Sequence, residues 1–71
     1  MISIFVNGHT LQVEQDTSVQ QALQLATELH QFDMANIAVA FNQHIVPKSQ
    51  WAEQGCQQGD QINVFSAVAG G

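Results

Sequence analysis

Apolar and polar residues alternate on either side of an Asn-Gly pair near the start of the chain. A period of two is typical of a strand with one buried face, and Asn-Gly between two such runs favours a two-residue hairpin turn. We therefore predict two antiparallel strands joined at Asn7-Gly8. Their inward positions are Ile2, Ile4 and Val6 before the turn and Leu11 and Val13 after it.

The apolar spacing changes to three and four residues in the next segment. Two overlapping capping-box candidates, Thr17 with Gln20 and Ser18 with Gln21, predict that a helix begins there. The spacing that follows predicts an amphipathic helix that ends near residue 30 or 31. Its apolar stripe should pack on the sheet and consists of Val19, Ala22, Leu23, Ala26 and Leu29.

The second half of the chain returns to alternation. Residues 37–41 alternate, and Asn42-Gln43 can form a tight turn because asparagine tolerates a positive φ. A short return strand begins at His44 and stops at Pro47, since proline has no N–H for a sheet ladder. A short helical turn is expected over residues 49–54, with Trp51 as its packing anchor and Gly55 as its C′ residue.

The last predicted strand covers residues 61–68, after a turn at Gly59-Asp60. The complete order is ββαββ, a short helical turn, and β. It predicts an α+β protein in which a mixed sheet grips one helix, the ubiquitin-like β-grasp arrangement, with strands 1 and 5 side by side at the centre. Residues 1–68 then form one domain, and residues 69–71 form a flexible C-terminal tail.

The composition limits the classes of partner. The formal charge is −5, and Lys48 is the one basic side chain, so nucleic acid and anionic membranes are poor partners. No window approaches the roughly 18 apolar residues of a membrane helix. A single cysteine and the lack of a leader-like N-terminus predict a cytoplasmic protein. A basic patch on another protein would suit this chain better.

The side chains offer little catalytic chemistry. His9, His30 and His44 show no metal-ligand spacing, so no metal site is expected. The carboxylates fall mostly in turns and on the wet helix face, and no basic residue stands near Cys56 to activate its thiol. No glycine-rich phosphate loop opens a helix. We therefore expect no enzyme and no cofactor bound by the chain itself.

The remaining reactive group is the carboxylate of Gly71 in the closing Gly-Gly. A carboxylate resists nucleophiles until an oxygen becomes a leaving group, and adenylation by an ATP-dependent enzyme achieves this. The tail must then enter a narrow channel, where side chains would clash or restrict the backbone. Ala69 and Gly70 suit such threading, and Gly71 is the predicted site of adenylation.

Three stretches resemble the ThiS family of sulfur carrier proteins of thiamine biosynthesis. They are "AFNQHIVPKSQWAEQ" at residues 40–54, "GDQINVF" at residues 59–65 and the closing "AVAGG". The resemblance covers essentially the whole chain. It implies that an E1-like adenylyltransferase (ThiF) uses ATP to activate Gly71, that sulfur replaces AMP to give a thiocarboxylate, and that thiazole synthase (ThiG) consumes it. A cysteine desulfurase or a persulfide relay would supply the sulfur.

Three alternatives share the tail or the fold. The small subunit of molybdopterin synthase (MoaD) resembles this chain, but its tail usually carries prolines before the glycines, whereas "FSAVAGG" has none. A ubiquitin-like protein modifier would end as an isopeptide on a lysine. A non-reactive β-grasp interaction domain would make no use of its glycines. Thiocarboxylate formation would separate a sulfur carrier from the non-reactive domain, and lysine-linked adducts in cell extracts would indicate the modifier.

A docking face is also expected on the sheet. If Ile4, Val6, Ile62 and Val64 face the helix, alternation places Phe5 and Phe65 on the opposite side. Because strands 1 and 5 should be neighbours, we predict that the two rings lie close together. Two adjacent exposed aromatic rings on a small domain indicate a partner site.

Overall fold

The computed structural model describes residues 1–30 and 36–66. The described elements follow the predicted order. They are β1 (Ile2–Val6), β2 (His9–Val13), α1 (Val19–His30), β3 (Ile37–Phe41), β4 (His44–Val46), a 3-10 turn (Lys48–Gln50) and β5 (Gln61–Ser66).

The five strands form one mixed sheet in the order β2-β1-β5-β3-β4. β1 runs parallel to β5, and the other neighbouring pairs are antiparallel. The predicted adjacency of strands 1 and 5 is confirmed, with Phe5 level with Gln61 and Val6 level with Ile62. β5 therefore occupies the centre of the sheet. Among the described residues, no helix is long and apolar enough to cross a membrane.

Two left-handed turns set the hairpins. Asn7 and Gly8 have φ of 51° and 82°, and Asn42 and Gln43 have φ of 50° and 73°. Positive φ at both central residues matches the right-handed twist of the flanking strands. Both predicted turns are confirmed, although Gln43 reaches this region without the freedom of glycine.

A capping box begins the helix. The Gln21 N–H donates to Ser18 Oγ (3.1 Å), and the Ser18 N–H donates to Gln21 Oε1 (3.2 Å). Of the two overlapping candidates, the structure therefore forms the one with Ser18 as the cap. Thr17, the other candidate cap, bonds through its backbone: its carbonyl accepts the Cys56 N–H (2.8 Å).

The helix buries most of its predicted stripe against the sheet. Val19, Ala22, Leu23 and Ala26 are buried, but Leu29 is 64% exposed. The expectation that Leu29 packs inward is wrong. Leu29 lies only about 20° around the helix from the buried Ala22, seven residues earlier, so the direction of its side chain does not explain its exposure. It stands in the last turn of α1.

The segment between β4 and β5 closes one end of the core. Trp51 is buried, and its Nε1–H donates to the Val46 carbonyl (2.9 Å), which confirms the predicted anchor. The predicted helical turn over residues 49–54 is replaced by the 3-10 turn Lys48–Gln50 and further turns through Glu53.

Gly55 is not a left-handed C′ residue. It forms an isolated antiparallel bridge with Ser18, and the neighbouring Gln54 carbonyl accepts the Val19 N–H (2.8 Å). These bonds to the start of α1 hold the segment in an extended path, so the C′ prediction is wrong. The turn predicted at Gly59 is confirmed, with φ of 85°.

Candidate functional site

The predicted reactive tail leaves from the end of β5. Ala69, Gly70 and Gly71 lie outside the described residues, and the last described residue is Ser66. Gly71 is the fifth residue after Ser66, and a fully extended chain of five residues spans at most about 18 Å. A protein that binds the Gly71 carboxylate would therefore have to approach this end of the sheet closely.

β3 pairs with β5 along its length. Phe65 is level with Ala38, and Ser66 is level with Ile37. Antiparallel pairing thus continues to the last described residue of β5. The base of the tail is held to a central part of the sheet.

Asn7 extends the hold on the other side of β5, beyond the end of β1. Its N–H donates to the Ile62 carbonyl (2.9 Å), and its side-chain Oδ1 accepts the Val64 N–H (2.7 Å). The turn residue thus takes the place of another strand residue. From the sequence we assigned Asn7 to the turn alone, because its partner lies 57 positions away.

A second side-chain network fixes the start of β5. Asn42 Oδ1 accepts the Gln61 N–H (2.8 Å), and Asn42 Nδ2 donates to Asp60 Oδ1 (3.0 Å). The other Asp60 oxygen accepts the Gln57 N–H (2.6 Å). Both asparagines with positive φ therefore hold the strand that carries the tail.

The two phenylalanines lie on the same face of the sheet but are not neighbours. Phe5 is level with Gln61, so Phe65 stands four residues further along β5, or roughly 13 Å at about 3.3 Å per residue. The prediction that the rings lie close together is wrong. Parity fixed their common face, but the parallel register offsets them along the sheet.

An apolar patch surrounds Phe65 on that face. Phe65 is 52% exposed and is paired with Ala38, while Ala40 is paired with the 68% exposed Ile45 of β4. Alternation places all four on the side away from the helix. We call Ala38, Ala40, Ile45 and Phe65 the outer patch.

Ile45 was missed in the sequence analysis. The signal was the short alternation of β4, in which Val46 is level with the buried Val39 and Ile45 must therefore point the other way. Because β4 has only three residues, the face on which Ile45 lies could be assigned only after β4 was paired with β3.

Cys56 is the one cysteine of the chain, and its thiol is not activated as a nucleophile. Cys56 is fully buried, and this burial, followed by the negative charge of Asp60, raises the pKa of its thiol to about 11. Such a thiol is protonated near neutral pH and is a poor nucleophile. Over residues 1–30 and 36–66, no three His, Cys, Asp or Glu side chains are grouped as metal ligands.

Comparison with known proteins adds the family to this geometry. The family model "ThiS family" matches residues 2–71. The sulfur carrier protein ThiS of Escherichia coli strain K12 is 39% identical over 70 residues, which cover 99% of this chain and 100% of that protein.

Solved structures support the fold. The crystal structure of the thiamine biosynthesis protein ThiS from Geobacter metallireducens superposes with a TM-score of 0.76 at 18% identity, covering 99% of this chain and 100% of that one. The crystal structure of SAMP1 from Haloferax volcanii gives 0.67 at 19% identity, covering 99% and 98%. The predicted β-grasp fold is confirmed. By its family match and its near-complete alignment with a curated relative, this chain belongs to the ThiS family of sulfur carrier proteins.

Proposed function

We propose that the carboxylate of Gly71 is the sulfur-carrying group of this protein. An E1-like adenylyltransferase (ThiF) transfers AMP from ATP to that carboxylate and releases pyrophosphate. The terminal sulfur of a persulfide then displaces AMP to form an acyl disulfide, and a second thiol reduces this to the C-terminal thiocarboxylate. Thiazole synthase (ThiG) uses this sulfur for the thiazole ring of thiamine. The immediate source is a cysteine desulfurase or a persulfide relay. The protein acts in the cytoplasm as a co-substrate.

The family match over residues 2–71 is the observation that carries this proposal, because it includes the Gly-Gly end. The geometry supports it in one respect. β5 is bonded to β3 on one side and to β1 and Asn7 on the other. A tail attached to a strand held on both sides has a fixed starting point, which reduces the conformational entropy lost when a partner binds it.

We also propose that ThiF and ThiG dock on the outer patch. Phe65 is the central anchor, since it lies one residue before the end of β5 and is half exposed. Phe5, on the same face and partly buried, forms a separate contact nearer the start of β5. A partner with a basic rim would complement the acidic surface.

Intact-mass measurement tests the function directly. The purified protein is incubated with ThiF, ATP, a persulfide donor and a thiol reductant, beside a variant that lacks Gly71. We expect the full chain to gain the mass of one sulfur-for-oxygen exchange, and the truncated chain to remain unmodified. An unmodified full chain, or a truncated chain that gains the same mass, would contradict the proposal.

A further inference from the structure

The free edge of β2 offers backbone hydrogen-bonding groups to another chain. β2 is the first strand in the sheet order, so its one neighbouring strand among the described residues is β1. In β1, the Phe5 N–H donates to the Asp60 carbonyl (2.9 Å), and the Ser3 carbonyl accepts the Gly59 N–H (2.8 Å). Ser3 and Phe5 thus direct these groups away from β2.

The β2 residues that lie opposite Ser3 and Phe5 must then direct their backbone N–H and C=O groups away from β1. Ser3 is level with Gln12 and Phe5 with Thr10. In an antiparallel pair, residues level with each other alternate between bonding each other and pointing apart. Thr10 and Gln12 therefore turn their N–H and C=O groups to the open edge of the sheet.

An open cavity, lined by both polar and apolar side chains, adjoins the end of this edge. It has a volume of about 620 Å³ and lies between the end of β2 and α1. Leu25 lines it and is 44% exposed, and Met1 lines it and is 84% exposed. Within the described residues, the apolar side chains of Leu25 and Met1 therefore remain exposed beside this edge.

Two carboxylates give the cavity a negatively charged rim. Glu14 and Glu28 both line it, and both are exposed. Lys48, the one basic residue of the chain, follows β4 at the opposite edge of the sheet. We call the Thr10–Gln12 backbone edge and the adjoining cavity lined by Val13, Glu14, Leu25 and Glu28 the edge groove.

We propose that the edge groove docks an extended segment of a partner protein, which adds to β2 as a strand and turns apolar and basic side chains toward α1. The strand takes the free N–H and C=O groups of β2, which is the mode of binding known as β-augmentation. An apolar side chain fills the cavity beside Leu25, and a basic side chain two positions away meets Glu14 or Glu28, because alternate residues share one face.

The edge groove is distinct from the outer patch. One lies at the β2 edge beside the helix, and the other lies on the opposite face of the sheet around β3, β4 and β5. A segment in the groove would leave Phe65 and the rest of the outer patch accessible. The protein could therefore be held by one partner while another enzyme acts on Gly71.

A designed peptide provides the test. Its alternate positions carry arginine, valine and arginine, separated by threonine. We titrate it into isotope-labelled protein and follow the amide resonances. We expect saturable shifts at Thr10, Gln12 and residues 21–28, together with slowed hydrogen exchange of the Thr10 and Gln12 amides. A peptide with aspartate in place of arginine should bind at least about tenfold more weakly.

Variants of the groove separate strand addition from general charge attraction. Gln12→Pro removes an outward N–H without touching a β1 bond, and proline is tolerated at such edge positions. It should weaken binding about tenfold, whereas the matched control Gln12→Thr should not. Leu25→Ala and Glu28→Gln should each weaken it about threefold, even if Gln12→Pro fails to fold.

Two results would overturn the proposal. The first is the absence of saturable shifts along β2 at millimolar arginine peptide. The second is equal affinity for the wild type, Leu25→Ala and Glu28→Gln. The variants Phe65→Ala and Gly71-deleted should bind the peptide like the wild type, so this result does not depend on the proposed sulfur chemistry.

Discussion

Asn7 shows how one residue can serve two parts of the fold. Its φ of 51° suits the hairpin turn, and its Oδ1 accepts the Val64 N–H at 2.7 Å, close to the end of β5. The first role follows from local backbone preference. The second links the β1–β2 hairpin to the strand that carries the tail.

The Asn7→Gly variant separates these two roles. Glycine keeps the positive φ but leaves the Val64 N–H without its partner. We expect the free energy of unfolding to fall by about 1 kcal/mol, with faster hydrogen exchange at Val64. Asn7→Asp, which keeps an acceptor oxygen, is the control. Unchanged exchange at Val64 in Asn7→Gly would show that the bond does not hold the strand.

Cys56 gives a pH dependence at the same scale. Burial raises the pKa of its thiol from 9.0 to about 11, so between these values the folded protein binds more protons than the unfolded chain. The stability that depends on the protonated Cys56 thiol is complete below about pH 9 and is lost as the pH rises through about 11. The resulting slope is at most about 1.4 kcal/mol per pH unit.

Urea denaturation at several pH values between about 8 and 11 measures how the free energy of unfolding changes with pH. Cys56→Ala should be less stable than the wild type at pH 8, because a buried sulfur is lost. The difference between the two proteins should shrink as the pH rises. A difference that stays constant through pH 11 would contradict the raised thiol pKa.

At the scale of elements, β5 contributes to the core with one face and to the proposed docking surface with the other. Ile62 is fully buried on the helix side, while Phe65 is 52% exposed on the other. The alternation that builds the core thus also creates the outer patch. Ile45 of β4 joins that patch through its pairing with Ala40.

Truncation of the patch should weaken partner binding more than it weakens the fold. Phe65→Ala should reduce affinity for ThiF by about 1–3 kcal/mol, the range of an interface anchor, and Ile45→Ala should act in the same direction. Titration calorimetry measures this, with the exposed but distant Leu29→Ala as control. Equal affinities for all three variants and the wild type would place the docking surface elsewhere.

At the scale of the whole molecule, the fold separates stability from the proposed chemistry. The core contains residues from β1, β2, α1, β3, β5 and the Trp51–Cys56 segment. The proposed reactive end is two glycines, which have no side chain to bury. Stability and activation should therefore respond to different substitutions.

Gly70→Val tests this separation. Valine adds a β-branched side chain that would obstruct a narrow channel and restrict φ and ψ. We expect adenylation and thiocarboxylate formation to be abolished, while the melting temperature stays within about 1 °C of wild type. Val64→Ala, in contrast, should lower the melting temperature. A Gly70→Val protein that is activated at the wild-type rate would rule out the threading mechanism.

The amino-acid sequence by itself determined the elements, their order and the fold class. The alternation around Asn7-Gly8, the helix start signalled by the two overlapping capping-box candidates, and the stop at Pro47 all act over a few residues, so local backbone and side-chain physics decides them. The Gly-Gly end was equally visible, because its signal is the absence of side chains. The resemblance to the ThiS family, now confirmed, also came from short stretches of sequence.

Tertiary structure alone decided how these elements are placed against one another. The register of β1 on β5 separated Phe5 from Phe65, and the pairing of β4 with β3 exposed Ile45. The bridge to Ser18 extended Gly55. Each of these depends on contacts between residues far apart in the chain, where a period of two fixes which face a side chain takes but leaves its level along the neighbouring strand undetermined.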